Sequence, residues 1–165
     1  MTASIDKLIS ALREELQDYG EMLALLDRQQ SAIMTRASQE VFQSISVIKA
    51  QSEALQDARA QREECRRALA EEIQRPGDIS FADLIPALPC DYQPLLGALV
   101  DENNQLLVRV RQRARQNHLL LRRSVELMQG VLNTLFPALQ PSVYNGHGDL
   151  AAASGQTRQL CNAVG

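Results

Sequence analysis

Residues 91–135 read DYQPLLGALVDENNQLLVRVRQRARQNHLLLRRSVELMQGVLNTL. Taken in steps of three and four from Leu96, the positions Leu99, Asn103, Leu106, Val110, Ala114, Asn117, Leu121, Ser124, Met128, Val131 and Leu135 form one stripe. That is the spacing at which side chains return to the same side of an α-helix. So long a helix must bury its apolar stripe against partner helices. Asn103, Asn117 and Ser124 fall on the stripe, where a polar residue fixes the register of packed helices at some cost in stability. The stripe breaks at Phe136. The chain then continues as FPALQPSVYNGHG over residues 136–148, apolar in places but without a period strong enough to fold alone.

Working toward the N-terminus, Ile5, Ile9, Leu12, Leu16, Tyr19, Leu23, Leu26 and Ile33 repeat with heptad spacing, and Gln30 fills the one polar slot. Thr2 or Ser4 can cap this helix, and Gly20 inside it costs about 1 kcal/mol against Ala, too little to end it. A second seam runs through Val41, Ile45, Ile48, Leu55, Ala58, Cys65, Leu69 and Ile73. Unbroken, the two seams would make a rod of about 70 residues and roughly 105 Å with little to pack against. A turn is therefore expected near Thr35–Ser38, although no Gly or Pro stands there. Arg75-Pro76-Gly77-Asp78 is the clearer stop, because Pro cannot continue a helix and Gly accepts a left-handed cap. Between Ile79 and Pro94 the spacing predicts a connector with a helical turn around Phe81–Leu88. Its apolar residues Ile79, Phe81, Leu84, Ile85 and Leu88 are expected to close one end of a bundle.

The expected fold is all-α: an elongated, coiled-coil-like antiparallel bundle of three long helices with a short connecting helix, over residues 1–136. Residues 137–165 are expected to form a flexible amphipathic tail for partner binding. Composition agrees. Of 165 residues 45% are hydrophobic, yet only six are Phe or Tyr and none is Trp, which suits Leu- and Ala-rich helix contacts better than a β core.

The net charge of −3 argues against a generally basic nucleic-acid binder. Six arginines do crowd residues 109–123, at 109, 111, 113, 115, 122 and 123. No aromatic side chain lies among them to stack a base, and they read as a solvated face set against the acidic residues of the first helix. Cys65, Cys90 and Cys161 are dispersed and odd in number, which fits a reducing cytoplasm better than a disulfide framework. No signal-peptide pattern opens the chain and no apolar run is long enough to span a bilayer, so a cytoplasmic location without stable membrane insertion is expected. His118 and His147 are the only histidines. With the cysteines so scattered they offer no four-ligand metal set, and no phosphate-binding loop or nucleophile–base pair stands out. Neither a cofactor nor an enzymatic activity is expected. The tail carries Val143, Tyr144, Leu150, Leu160, Cys161 and Val164, more apolar residues than a solvating terminus needs, and such segments commonly order on binding.

Two short motifs carry a family likeness. Gln116-Asn117-His118-Leu119-Leu120-Leu121-Arg122-Arg123-Ser124 is similar to an Asn-Gly-x-Leu-Ile stretch, with His118 where Gly is usual. Tyr144-Asn145-Gly146-His147-Gly148 is similar to a Tyr-Gly-x-x-Gly ending. A weaker echo lies in Lys49, Leu55 and Arg62. On these residues, helix order and length, the chain resembles the FlgN family of flagellar type III export chaperones. The resemblance implies a protein that binds C-terminal helical segments of the hook–filament junction proteins, keeps them unassembled, and hands them to the membrane export gate without using nucleotide. It implies a client surface with a rigid edge at Leu127, Val131 and Leu135 and an adaptable part at Val143, Tyr144, Leu150 and Leu160, with Tyr144 serving the gate. The alternative is a coiled-coil scaffold or adaptor with no export role, which would self-associate stably. A chaperone would form a weak homo-oligomer at most.

Overall fold

The computed structural model describes residues 1–136. Helix α1 spans Thr2–Met34, α2 Ser38–Glu72, α3 Phe81–Leu84 and α4 Gln93–Leu135. One 3₁₀ turn at Ile85–Ala87 follows α3. No strand occurs among the described residues, and the all-α class expected from the heptad spacing is what the chain adopts. One compact unit covers Met1–Arg123; the end of α4, from Ser124 onward, belongs to a second.

The expected break after α1 is present and uses no glycine. Arg36 takes a left-handed conformation at φ 58°. The Arg36 and Ala37 amides then donate to the carbonyls of Ile33 and Ala32, the paired bonds of a Schellman cap. Helix α2 closes the same way. There the left-handed residue is Gln74, also at φ 58°, and the Gln74 and Arg75 amides donate to Glu71 and Ala70. The glycine cap expected at Gly77 is therefore corrected: the helix has already ended when the chain reaches Pro76. At the N-terminus Met1 occupies the cap position without a side-chain bond, so neither Thr2 nor Ser4 caps α1. The Ser4 hydroxyl instead donates to the Glu72 carboxylate, which also pairs with the N-terminal ammonium.

These contacts tie the start of α1 to the end of α2, and Gln29–Ser44 ties the end of α1 to the start of α2, so the two run antiparallel. Helix α4 runs parallel to α1, since Asn103 reaches Leu12 and Asn117 reaches Leu26. Sequential neighbours are thus antiparallel, as expected of an up-down-up bundle. The α1–α2 pair packs closely along its length.

The interior alternates in layers. One apolar cluster holds Ile5, Leu8, Ile9 and Leu12 of α1, Leu69 and Ala70 of α2, and Leu96 and Leu99 of α4. Leu84 and Leu88 of the connector are buried in it, and Ile79, Phe81 and Ile85 pack on it. The connector therefore closes this end of the bundle. Ser80 starts α3 by accepting the Asp83 amide and donating to its carboxylate at 2.6 Å, and Arg62 lies 5.8 Å from the Phe81 ring centre. A second apolar cluster holds Tyr19, Met22 and Leu26 with Val110.

A polar layer separates the two clusters. Glu15, fully buried, pairs with Arg62 at 3.0 Å and Arg59 at 3.6 Å. Beside it the Asn103 amide donates to the carbonyls of Leu12 and Leu99 at 3.0 and 2.9 Å. A further polar relay crosses all three long helices. Asn117 donates to Leu26 O and Gln29 Oε1, Gln29 donates to Ser44 Oγ, and Ser44 donates to Val41 O.

The buried stripe of α1 differs from the expected one on one flank. Ile5, Leu12, Tyr19 and Leu26 are buried as expected, but Leu8, Glu15, Met22 and Gln29 complete the stripe, while Leu16 and Leu23 are only half-buried. Helix α1 touches two neighbours, so its interior face is wider than one coiled-coil seam. Ile45, Ala114 and Ser124 lie exposed, contrary to their places on the expected seams.

Candidate partner-binding surface

Helix α4 buries Leu96, Leu99, Asn103, Val110 and Asn117, and Leu121 is half-buried. From Arg122 to Phe136 every residue is exposed. The apolar pattern nevertheless continues. Val125, Leu127, Met128, Val131, Leu132, Leu135 and Phe136 are each half or more exposed, up to 66% at Met128. At 100° per residue the six that lie within α4 occupy an arc of about 160°. Glu126 is the single charged residue between Ser124 and Phe136. The arrangement is a helix edge of about three turns that presents apolar side chains with little charge, the form in which one helix accepts another.

Of the expected site residues, Leu127, Val131 and Leu135 stand on this edge at 63%, 57% and 64% exposure. Val143, Tyr144, Leu150 and Leu160 lie outside the described residues. Val125, Met128, Leu132 and Phe136 share the edge and were not assigned to it from sequence. The signal was present in their three-and-four spacing, but the same spacing also describes a core stripe. A second exposed apolar group, Met34, Phe42, Ile45 and Val47, sits beside the α1–α2 turn and had no sequence signature, because Ile45 obeys the heptad rule that marks core.

Nothing in this surface calls for a catalytic group. Among the described residues no three His, Cys, Asp or Glu side chains are placed to hold a metal ion. His118 is exposed and His147 lies outside the described residues. Cys65 and Cys90 carry free thiols, and burial pushes the Cys65 thiol up. No helix among the described residues is long and apolar enough to cross a membrane.

A family model described as FlgN protein matches residues 1–152, nearly the whole chain. The chain belongs to the FlgN family. The family likeness read from the motifs on α4 and after it is thereby shown, and with it a general role as a flagellar export chaperone. No curated protein and no solved structure matches the chain. For a FlgN protein the combination of a closed polar-layered bundle and an open apolar helix end is chemically coherent.

Proposed function

We propose that this FlgN protein is a cytoplasmic chaperone that binds the C-terminal helical segments of hook-associated, hook–filament junction proteins, prevents their premature assembly and delivers them to the export gate. The observation that carries the reading is the apolar edge of α4, where Leu127, Val131 and Leu135 stand exposed together with Val125, Met128 and Leu132. A subunit awaiting export has an amphipathic terminal helix whose eventual partners are other subunits. Covering that stripe with a chaperone helix holds the subunit soluble without a covalent step or a nucleotide. Val143, Leu150 and Leu160 contribute further apolar side chains to the client, and Tyr144 serves docking at the gate.

Co-purification with the junction proteins of the same genome, with and without residues 137–165, tests the reading. A soluble complex that needs the tail supports it. Absence of a complex with either form would leave the coiled-coil scaffold, and a stable oligomer would then be expected. Tyr144→Ala is expected to weaken gate docking while sparing client affinity; equal loss of both would place the tyrosine in the client site.

A further inference from the structure

Helix α4 has a second unsatisfied face, on the side turned away from the buried stripe. Val108, Arg111, Gln112, Arg115, Leu119 and Arg123 are all exposed and fall within an arc of about 120° at 100° per residue. Val108 and Leu119 are 61% and 57% exposed, large apolar side chains set among guanidinium groups. Between Glu102 and Glu126 the helix carries no carboxylate.

Nothing within the packed unit uses these arginines. Every arginine of α2 has a carboxylate partner: Arg59 and Arg62 on Glu15, Arg66 on Glu63, Arg67 on Glu64. On α4, Arg113 points toward α1, pairing with Asp27 at 3.0 Å and bonding Gln30. The reading of the whole arginine cluster as a face set against the acidic first helix therefore holds for Arg113 and not for Arg111, Arg115 or Arg123, which have no acidic partner among the described residues. Arg111 and Arg115 stand one helical turn apart, where like charges repel and destabilise a helix slightly. The fold thus carries a small cost with no internal return, in a chain whose net charge is −3.

We infer that this outward face of α4, from Val108 to Arg123, docks an acidic amphipathic helix of another protein, separately from the apolar edge at Leu127–Leu135. A straight row of side chains about 22 Å long with apolar residues near both ends and basic residues between matches a helix that presents apolar positions flanked by Glu or Asp. A nucleic-acid backbone would satisfy the guanidinium groups but leave Val108 and Leu119 in water, and the face has no aromatic residue for bases. A bilayer surface calls for a broad continuous apolar face, and here two apolar residues stand eleven positions apart. The inference does not depend on the client reading above.

The test uses the full chain and a fluorescent synthetic peptide of about four heptads with Leu at a and d and Glu at e and g, whose own charges oppose self-pairing. Anisotropy is expected to show binding that weakens with added salt and drops at least about tenfold in Arg111→Glu/Arg115→Glu and in Leu119→Asp. Arg109→Glu, the same charge change about 100° away around the helix, is expected to bind as the unaltered chain does. Equal binding of a scrambled peptide of the same composition, or equal loss in Arg109→Glu, would show bulk charge alone and overturn the inference. So would stronger binding, lost in the same variants, to vesicles containing phosphatidylglycerol or to a duplex oligonucleotide, or a dimer of the chain that those variants dissociate.

Discussion

Glu15 shows how a single buried charge organises this protein. It sits fully inside the bundle against Arg62 and Arg59, between two apolar clusters. Burial and the neighbouring Glu15 carboxylate push the Tyr19 hydroxyl up from its usual range. Removing one member of such a pair strands the other. Glu15→Gln is expected to cost about 2–3 kcal/mol, whereas the paired change Glu15→Leu/Arg62→Met should cost far less than the sum of its single changes; urea denaturation of the unaltered chain and these four variants measures this. Glu63 gives the bundle a dependence on acid. Burial pushes its carboxyl up, but the hydrogen bond from Arg66 and the charge of Arg62 outweigh that and hold it below the ordinary 4.5. Hydrogen bonds from the N-terminal ammonium and from Ser4 hold Glu72 down as well. A carboxyl lowered in the folded state contributes stability above its unfolded value and loses it as pH falls through the folded one. Melting temperature is therefore expected to hold from pH 7 to 6 and to fall below about pH 4.5, less steeply in Glu63→Gln.

At the scale of the helices, local preference and observed conformation disagree at Gly20, Arg36 and Gln74, and the first two serve as tests. Gly20 is exposed in mid-helix, where an added Cβ would meet nothing within 4 Å. Arg36 holds a left-handed conformation that suits glycine. Gly20→Ala and Arg36→Gly are each expected to stabilise by about 0.5–1 kcal/mol, raising the melting temperature by about 2–4 °C apiece, and to add when combined because they lie on different segments. The Asn103 and Asn117 contacts work differently. Each donates to a carbonyl of α1, yet each leaves its own buried carbonyl oxygen without a partner. Replacing Asn103 by Leu should leave thermal stability unchanged or higher, because an unsatisfied polar atom is removed, while register is lost. Size-exclusion chromatography is expected to show additional oligomeric species in that variant; a single monomeric species with unchanged hydrogen exchange would mean that the apolar layers alone fix the register.

At the scale of the whole molecule, the residues proposed for recognition are not those that hold the bundle together. The bundle is held by the layered interior of Met1–Arg123, whereas Leu127, Val131 and Leu135 are exposed. Leu127→Asp/Val131→Asp/Leu135→Asp should therefore shift unfolding free energy by no more than about 1 kcal/mol in total, while abolishing capture of a junction protein. A large loss of stability would instead make the edge part of the fold.

Much of the architecture follows from sequence periodicity alone. Three long stripes at heptad spacing, a proline-rich connector with its own apolar residues, and a break needed to fold one stripe on another determine a three-helix bundle, because apolar area repeated at helical spacing has few other places to go. The family motifs on α4 identified the kind of protein. Tertiary structure decided what periodicity treats alike. Glu15 and Gln29 are polar letters in the sequence and became buried only because Arg62 and Ser44 stand opposite them. Ile45 and Ser124 keep the heptad and are exposed, since spacing records which side of a helix a residue is on and not whether another helix covers that side. The same limit hid the two open faces of α4. Whether an apolar or basic row is core, solvated surface or docking site depends on which partners reach it, and that is fixed by where the other helices end.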